Sequence, residues 1–315
     1  MDQYEFKKEF IEHYRKIADW KVFEKYLRQQ RRRSIRVNTL KITVPDLVKR
    51  LSPKWNLEQI PWCREGFWIS SKSERHAEIK SLGNVKEHKS GLFYIQEASS
   101  MIPAAVLEPK PNENILDMCA SPGSKTTQIA QYMQNKGHIT ANDIRTDRTA
   151  ILKRNIERMG VTNCTITQMP GQWFKDVKFD RILLDPPCSG TGTMRGDFDQ
   201  IEKWNPDVAK RMHYEQRSLI HYAYCVLKRG GILIYSTCSI EPPENEAVID
   251  YLLKRHKKTE VEEINMNAET HGLNPSKPIL KYEGESYDKR IEQTMRIMPQ
   301  DNDTDGFFIA KIRKI

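Results

Sequence analysis

The sequence predicts an α/β protein: a mostly parallel sheet covered by helices on both faces, preceded by a small α+β unit. Three observations carry this prediction. From Asn112 onward, short apolar runs alternate with stretches of helical periodicity, the pattern of repeated strand–loop–helix units. Two of the runs stop abruptly at residues with chemistry in them, Asp185-Pro186-Pro187-Cys188 and Ser236-Thr237-Cys238-Ser239, at the carboxyl ends of strands where open α/β sheets hold ligands. The first 95 residues read differently, as helix and antiparallel strand, and they carry the whole of the net charge.

In chain order, residues 4–29 place Phe6, Phe10, Ile11, Tyr14, Ile17, Val22, Phe23, Tyr26 and Leu27 at spacings of three and four, which predicts helix. Residues 34–41 alternate like a strand, 44–51 suit a helix, and 67–69 a second strand. A polar stretch over 70–90 follows. The boundary falls near residue 95, giving units 1–95 and 96–315. In the second unit strands are expected at 115–118, 138–142, 164–169, 181–184 and 231–235, with helices at 125–134, 146–159, 207–227 and 242–255. Residues 256–304 carry no clear pattern, and 306–312 form a last strand. No internal repeat or low-complexity segment is present.

A length of 315 residues suits one large domain with a smaller one. No apolar run reaches the ~18 residues of a membrane span, and the opening residues lack the hydrophobic region of a signal peptide, so a soluble cytoplasmic protein is expected. The six cysteines (63, 119, 164, 188, 225 and 238) form no C-x-x-C pair and show no neighbouring histidine at ligand spacing, so neither a metal nor a disulfide framework is expected. The net charge of +9 is uneven: residues 1–95 hold 21 Lys+Arg against 12 Asp+Glu, leaving 30 against 30 for the rest. The excess is densest over 28–36, with Arg28, Arg31, Arg32, Arg33 and Arg36 near Trp20 and Tyr26, which suits phosphate contacts on nucleic acid as well as a solvated helix end.

The loop Cys119-Ala120-Ser121-Pro122-Gly123-Ser124-Lys125 joins the first strand of the second unit to its helix. Ser124 separates Gly123 from Lys125 and Met118 stands at the first glycine position, so it is no P-loop; the dinucleotide G-x-G-x-x-G is absent too. What remains is an adenosine-type cofactor with Asp143, at the end of the next strand, on its ribose. Small residues in a tight strand–helix turn, and Asp143 as a helix-start residue, are the plainer readings. If the strands ending at Asp185 and Thr237 are neighbours, Cys188, Cys238, Asp185 and Lys125 surround one crevice. A single cysteine is most often a small buried residue, and Cys63, Cys164 and Cys225 are read that way. Two at equivalent strand ends, each followed by serine, weaken that reading for Cys188 and Cys238.

These three stretches resemble the RsmB/NOP/Sun family of RNA cytosine-5 methyltransferases, and the likeness extends over residues 36–40, 94–100 and 305–310. The resemblance implies a Rossmann-like class I methyltransferase sheet with its last strand antiparallel, S-adenosylmethionine as cofactor and 5-methylcytosine in RNA as product. Carbon-5 of cytosine is too poor a nucleophile to be methylated directly, so a thiolate first adds to carbon-6. By resemblance Cys238 is that nucleophile and Cys188 assists product release. Asp185 stands near the cofactor and the amino edge of the base, and Lys125 adds a cation. Residues Cys119, Ala120, Ser121, Pro122, Gly123, Ser124 and Lys125 wrap the methionine end, Asp143 takes the ribose, and Arg148 is typical of the family, though also an ordinary helix arginine. Pro170 stands where many relatives carry an acid facing adenine, which leaves that ring to the backbone or to Gln168.

The target base is unstacked to reach the thiol, with the basic N-terminal module clamping phosphates beside it. The compact build is similar to archaeal tRNA-modifying members, so tRNA is favoured over rRNA, and a monomer is expected. The competing readings are a DNA cytosine methyltransferase, in which Cys188 is the nucleophile, and a non-catalytic RNA-binding assembly factor.

Overall fold

A computed structural model describes residues 4–72, 82–266 and 268–315. The N-terminal unit contains four antiparallel strands, β1 (Ser34–Val37), β2 (Trp55–Gln59), β3 (Gly66–Ser71) and β4 (Phe93–Ile95), in spatial order β2-β3-β1-β4. Ile35, Val37, Phe67 and Phe93 bury one face against Leu47 and Leu51 of the helix Val44–Leu51, whose start is capped by Thr43 Oγ1 accepting from the Asp46 N–H at 3.3 Å. The predicted strand over 34–41 stops at Val37. Asn38 leaves the ladder because its side-chain amide donates to the carbonyls of Gly91 and Met159, each at 2.8 Å. The polar stretch over 70–90 is described only in part, since residues 73–81 lie outside the described residues.

The single helix expected over 4–29 is two, Lys8–Tyr14 and Trp20–Leu27. Asp19 starts the second by accepting from the Lys21 N–H at 2.9 Å and the Val22 N–H at 3.4 Å. Neither packs on the small sheet. Phe10, Tyr14, Trp20, Phe23 and Leu27 instead form an aromatic-rich core with Met194, Ile201, Ile240 and Met298 of the second unit, and the Tyr14 hydroxyl donates to Glu241 at 2.8 Å.

The second unit is built on β5 (Asn114–Asp117), β6 (His138–Asn142), β7 (Cys164–Thr167), β8 (Phe179–Leu184), β9 (Leu227–Thr237), β10 (Thr259–Glu262), β13 (Met295–Ile297) and β14 (Phe307–Lys314); β11 (Lys281–Tyr282) and β12 (Glu285–Ser286) make a separate hairpin. The main order is β10-β14-β9-β8-β5-β6-β7, with β13 also on β14. β5 to β9 are mutually parallel where they pair, and β14 runs antiparallel to β9. Alternate residues feed two cores: Ile115, Ile139, Leu183 and Ile234 on one face, Leu116, Ile182, Leu184 and Leu233 on the other. Burial on both sides explains why these strands read as unbroken apolar runs. Among the described residues no helix is long and apolar enough to cross a membrane.

Candidate active site

β8 and β9 are parallel neighbours in a register that pairs Leu184 with Tyr235, so their ends deliver Asp185 and Ser236 side by side. The Ser236 hydroxyl donates to Asp185 Oδ1 at 2.8 Å, and Lys125 Nζ, from the first turn of the helix Ser124–Tyr132, donates to Asp185 Oδ2 at 2.8 Å and to Ser100 Oγ at 3.0 Å. Burial works against the Lys125 charge, but Asp185 outweighs it and the ammonium is held above its ordinary range.

Beyond the strand ends the chains curl toward each other and bring Cys188 Sγ to 3.2 Å from Cys238 Sγ. Both residues are half-buried, and all six cysteines are free. The contact with Cys238, then burial, pushes the Cys188 thiol well up, so it keeps its proton at neutral pH. The serines that follow are tied together. Glu244 accepts from the Ser189 N–H at 2.8 Å, from the Ser189 hydroxyl, from the Ser239 hydroxyl at 2.5 Å and from Gln216 Nε2 at 3.0 Å.

A cavity of about 240 Å³ lies between these loops and the cofactor-type loop, walled by Cys119, Ala120, Ser121, Pro122, Ser124 and Lys125 on one side and by Asp185 and Cys238 on the other. Four expected site residues are not among those lining the cavity: Cys188, which touches it through Cys238, and Gly123, Asp143 and Arg148. Gly123 has φ +102° and packs backward, where a Cβ would meet Leu152 Cδ1 at 3.0 Å. Asp143 accepts from the Ser121 N–H at 3.3 Å, the Arg145 N–H at 3.2 Å and Arg148 Nε at 3.0 Å, so it ties the loop to the chain entering the helix Thr146–Met159. Arg148 also donates to the Ser121 carbonyl at 2.8 Å and braces the loop. Burial pushes the Cys119 thiol well up. Gln168 is engaged elsewhere, donating to Thr146 Oγ1 at 2.9 Å and accepting from Thr149 Oγ1 at 3.4 Å.

Four carboxylates joined this site without being singled out by sequence: Glu97, Asp117, Asp305 and Glu244. Glu97 and Asp305 line the same cavity and are linked by the Asp305 N–H donating to Glu97 at 3.1 Å. Burial, then Glu97, raises Asp305 to about 7. Both lie inside stretches that carried the family likeness, and that was their only signal. Glu244 had none, because its role depends on where two distant loops meet.

The basic segment is largely spent inside the molecule. Arg28 pairs with Glu24 at 2.8 Å, Arg31 donates to the Arg195 carbonyl at 3.0 Å, and Arg32 lies over Trp68 at 4.0 Å and pairs with Glu58 and Asp303. Arg36 is fully buried and donates to Gln96 Oε1 at 2.5 Å, the Ser124 carbonyl at 2.8 Å and Thr127 Oγ1 at 2.8 Å, which corrects its reading as a phosphate contact. Arg31, Arg32 and Arg33 nonetheless border an open cleft with Trp55 and Trp68. The reading that no cysteine has a histidine at ligand spacing is corrected at Cys225, which follows His221 by four residues and faces both it and His256.

A crevice at parallel strand ends, with a helix-start loop opposite a carboxylate, an ammonium and a thiol, has the groups that a methyltransferase acting on a base requires. A family model described as 16S rRNA methyltransferase RsmB/F matches residues 104–313, and one for the N-terminal domain of 16S rRNA methyltransferase RsmF matches residues 6–98. The chain belongs to this family of S-adenosylmethionine-dependent RNA cytosine-5 methyltransferases. It is 44% identical over 312 residues to the tRNA (cytosine(49)-C(5))-methyltransferase of Pyrococcus abyssi, covering 98% of this chain and 96% of that one. It is 42% identical over 301 residues to ribosomal RNA small subunit methyltransferase F of Shewanella piezotolerans, covering 93% of this chain but only 60% of that longer protein. Among solved structures, a methyltransferase homologue from Pyrococcus horikoshii superposes with TM-score 0.82 at 34% identity, covering 98% and 100% of the two chains. NSun6 from Pyrococcus horikoshii with SFG, an S-adenosylmethionine analogue, superposes with TM-score 0.83 at 26% identity, covering 98% of each. The sheet is thus of the Rossmann-like class I methyltransferase type.

The cavity fits this cofactor. Asp117 lines it with Oδ2 accepting from Thr126 Oγ1 at 2.7 Å, while the buried Oδ1 has no partner, and burial raises the carboxyl to about 7. An amino group such as that of the methionine end would satisfy the orphaned oxygen and restore the carboxylate.

Proposed function

We propose that this enzyme methylates carbon-5 of a cytosine in tRNA through a covalent bond between Cys238 and carbon-6 of the base. The observation that carries the reading is the 3.2 Å contact between Cys188 and Cys238 beside the Asp185–Lys125 pair. The preference for tRNA rests on the Pyrococcus abyssi relative, which matches this chain over nearly the full length of both proteins.

S-adenosylmethionine, when bound, supplies an electrophilic methyl group. Cys119, Ala120, Ser121, Pro122, Ser124 and Lys125 hold it from the loop with Asp117, while Asp143, Arg148 and Gly123 shape that loop from behind. Cys238 gives up its thiol proton to solvent, and its sulfur adds to carbon-6 as the carbon-5–carbon-6 pair shifts toward carbon-5, which makes that carbon nucleophilic. Asp185, braced by Lys125 and Ser236, faces the amino edge of the ring and stabilises the positive charge that favours addition. After methylation the carbon-5 proton leaves, the carbon-6–sulfur bond breaks, and the Cys238 sulfur departs with the bonding pair. Cys188, held as a thiol, protonates that sulfur and is restored by the proton from carbon-5.

The test offers methyl-labelled cofactor with unmodified tRNA and small-subunit rRNA transcripts to the purified enzyme, and maps the product by bisulfite sequencing. Label confined to one cytosine of tRNA is the expected result. Label in the rRNA alone would overturn the substrate assignment.

A further inference from the structure

At the other end of β9 from the active site, His221 and Cys225 share one face of the helix Pro206–Val226 through i,i+4 spacing, and His256 ends the helix Glu246–Arg255 that packs beside it. His221 Nδ1 is 2.9 Å from His256 Nε2, Cys225 Sγ is 3.9 Å from both ring nitrogens of His221, and one ligand atom from each residue lies within 4.8 Å of the others. We propose that His221, Cys225 and His256 form a binding site for one zinc ion or a similar borderline-soft divalent transition metal.

The donor set decides the metal class. Two imidazoles and a thiolate suit zinc, with water completing a tetrahedron, and offer no oxygen ligands to magnesium or calcium. The site is preorganised: the His256 ring is stacked on His221 at 5.1 Å and lies 4.4 Å from the ring of Tyr224, whose hydroxyl donates to the Lys258 carbonyl. His221 Nδ1 and His256 Nε2 share a hydrogen bond with each other, which a metal ion would replace. The surrounding cations oppose a second positive charge, but they are placed to yield. Lys178 and Lys314 donate to the Cys225 carbonyl at 2.8 and 3.4 Å, not to its sulfur. Arg255, whose Nε donates to His221 Nδ1 at 3.2 Å, is exposed and can turn outward. Binding exchanges the thiol proton for the metal, so the site gains one unit of positive charge and releases one proton. The ion would clip two helix ends together roughly 30 Å of strand away from Cys238, given the 11 residues of β9, and so would act on stability and not on methyl transfer.

The test is a Co²⁺ titration of full-length, chelator-stripped protein made without a histidine tag. One equivalent should bind with a thiolate-to-cobalt charge-transfer band and tetrahedral d–d absorption, be displaced by Zn²⁺, and raise Tm by several degrees. A Cys188→Ser/Cys238→Ser variant should keep the signal, whereas Cys225→Ser and, separately, His256→Gln should lose it. No tetrahedral cobalt spectrum, or a spectrum unchanged in Cys225→Ser and His256→Gln, would overturn the proposal, leaving a neutral histidine pair beside a packed thiol.

Discussion

Asp305 shows how much one side chain can be asked to tolerate at such a site. It is buried next to Glu97, and these two causes outweigh Arg31 and Arg195, which pull the other way, so its carboxyl stays neutral to about 7 instead of its ordinary 3.8. A carboxyl whose folded pKa lies above its unfolded value favours the folded state below about pH 4, and that advantage is lost as pH rises toward 7. At about 1.4 kcal/mol per unit, the penalty at pH 8 is a few kcal/mol at most. Asp305→Asn, measured by thermal unfolding of the apo-protein, should therefore raise Tm by several degrees at pH 8 and change it little at pH 4. Parallel Tm-versus-pH curves for the two proteins would show that Asp305 is not the group that titrates. Such residues were invisible in composition or periodicity, because a perturbed carboxyl is defined by its neighbours.

At the scale of elements, the strands and helices of the second unit were legible because each is buried on a regular face: the helix Thr146–Met159 and β6 fall where the periodicity put them. β2 was not legible, since Trp55-Asn56-Leu57-Glu58-Gln59 is an edge strand with a single buried side chain. Nor were the short pairings of residues 256–304, where β11 and β12 have two residues each. The helix pair at the start misled for another reason. Its apolar spacing is helical throughout, but Asp19 caps the second helix and divides the stretch. The loops after β8 and β9 are held by a tie that no local pattern announces. Glu244 gathers donors from both and accepts from all of them, so Glu244→Gln places an amide where only acceptors fit. Loss of about 1–3 kcal/mol of positioning predicts a fall in kcat of roughly 5- to 150-fold, with KM for tRNA changed much less. Steady-state kinetics on tRNA check this, and an unchanged kcat would remove Glu244 from the account.

Across the whole molecule, the two units are joined by charge and aromatic packing as much as by chain. Arg36 reaches from β1 to the first turn of the loop-bearing helix, and the first two helices complete a core with residues 194, 201, 240 and 298. Removing the N-terminal residues would therefore open the second unit's own core, which makes truncation a poor probe of RNA binding. Cys188, Cys238, Asp185 and Lys125, singled out from sequence, lie together at adjoining strand ends because strand ends in a parallel sheet converge by topology. Gly123, Asp143 and Arg148, expected at the cofactor, support the loop through Ser121 and the Leu152 packing, a task the loop's residue types did not separate from lining it. The central claim is that Cys238 attacks the base and Cys188 releases the product. The direct measurement is to incubate Cys188→Ala with tRNA and S-adenosylmethionine, digest the denaturation-resistant complex with nuclease and protease, and locate the nucleotide by mass spectrometry. The account predicts a methylated cytidine on the peptide carrying Cys238, and no methylation at all by Cys238→Ala. Turnover by Cys238→Ala, with an adduct on Cys188 instead, would contradict it.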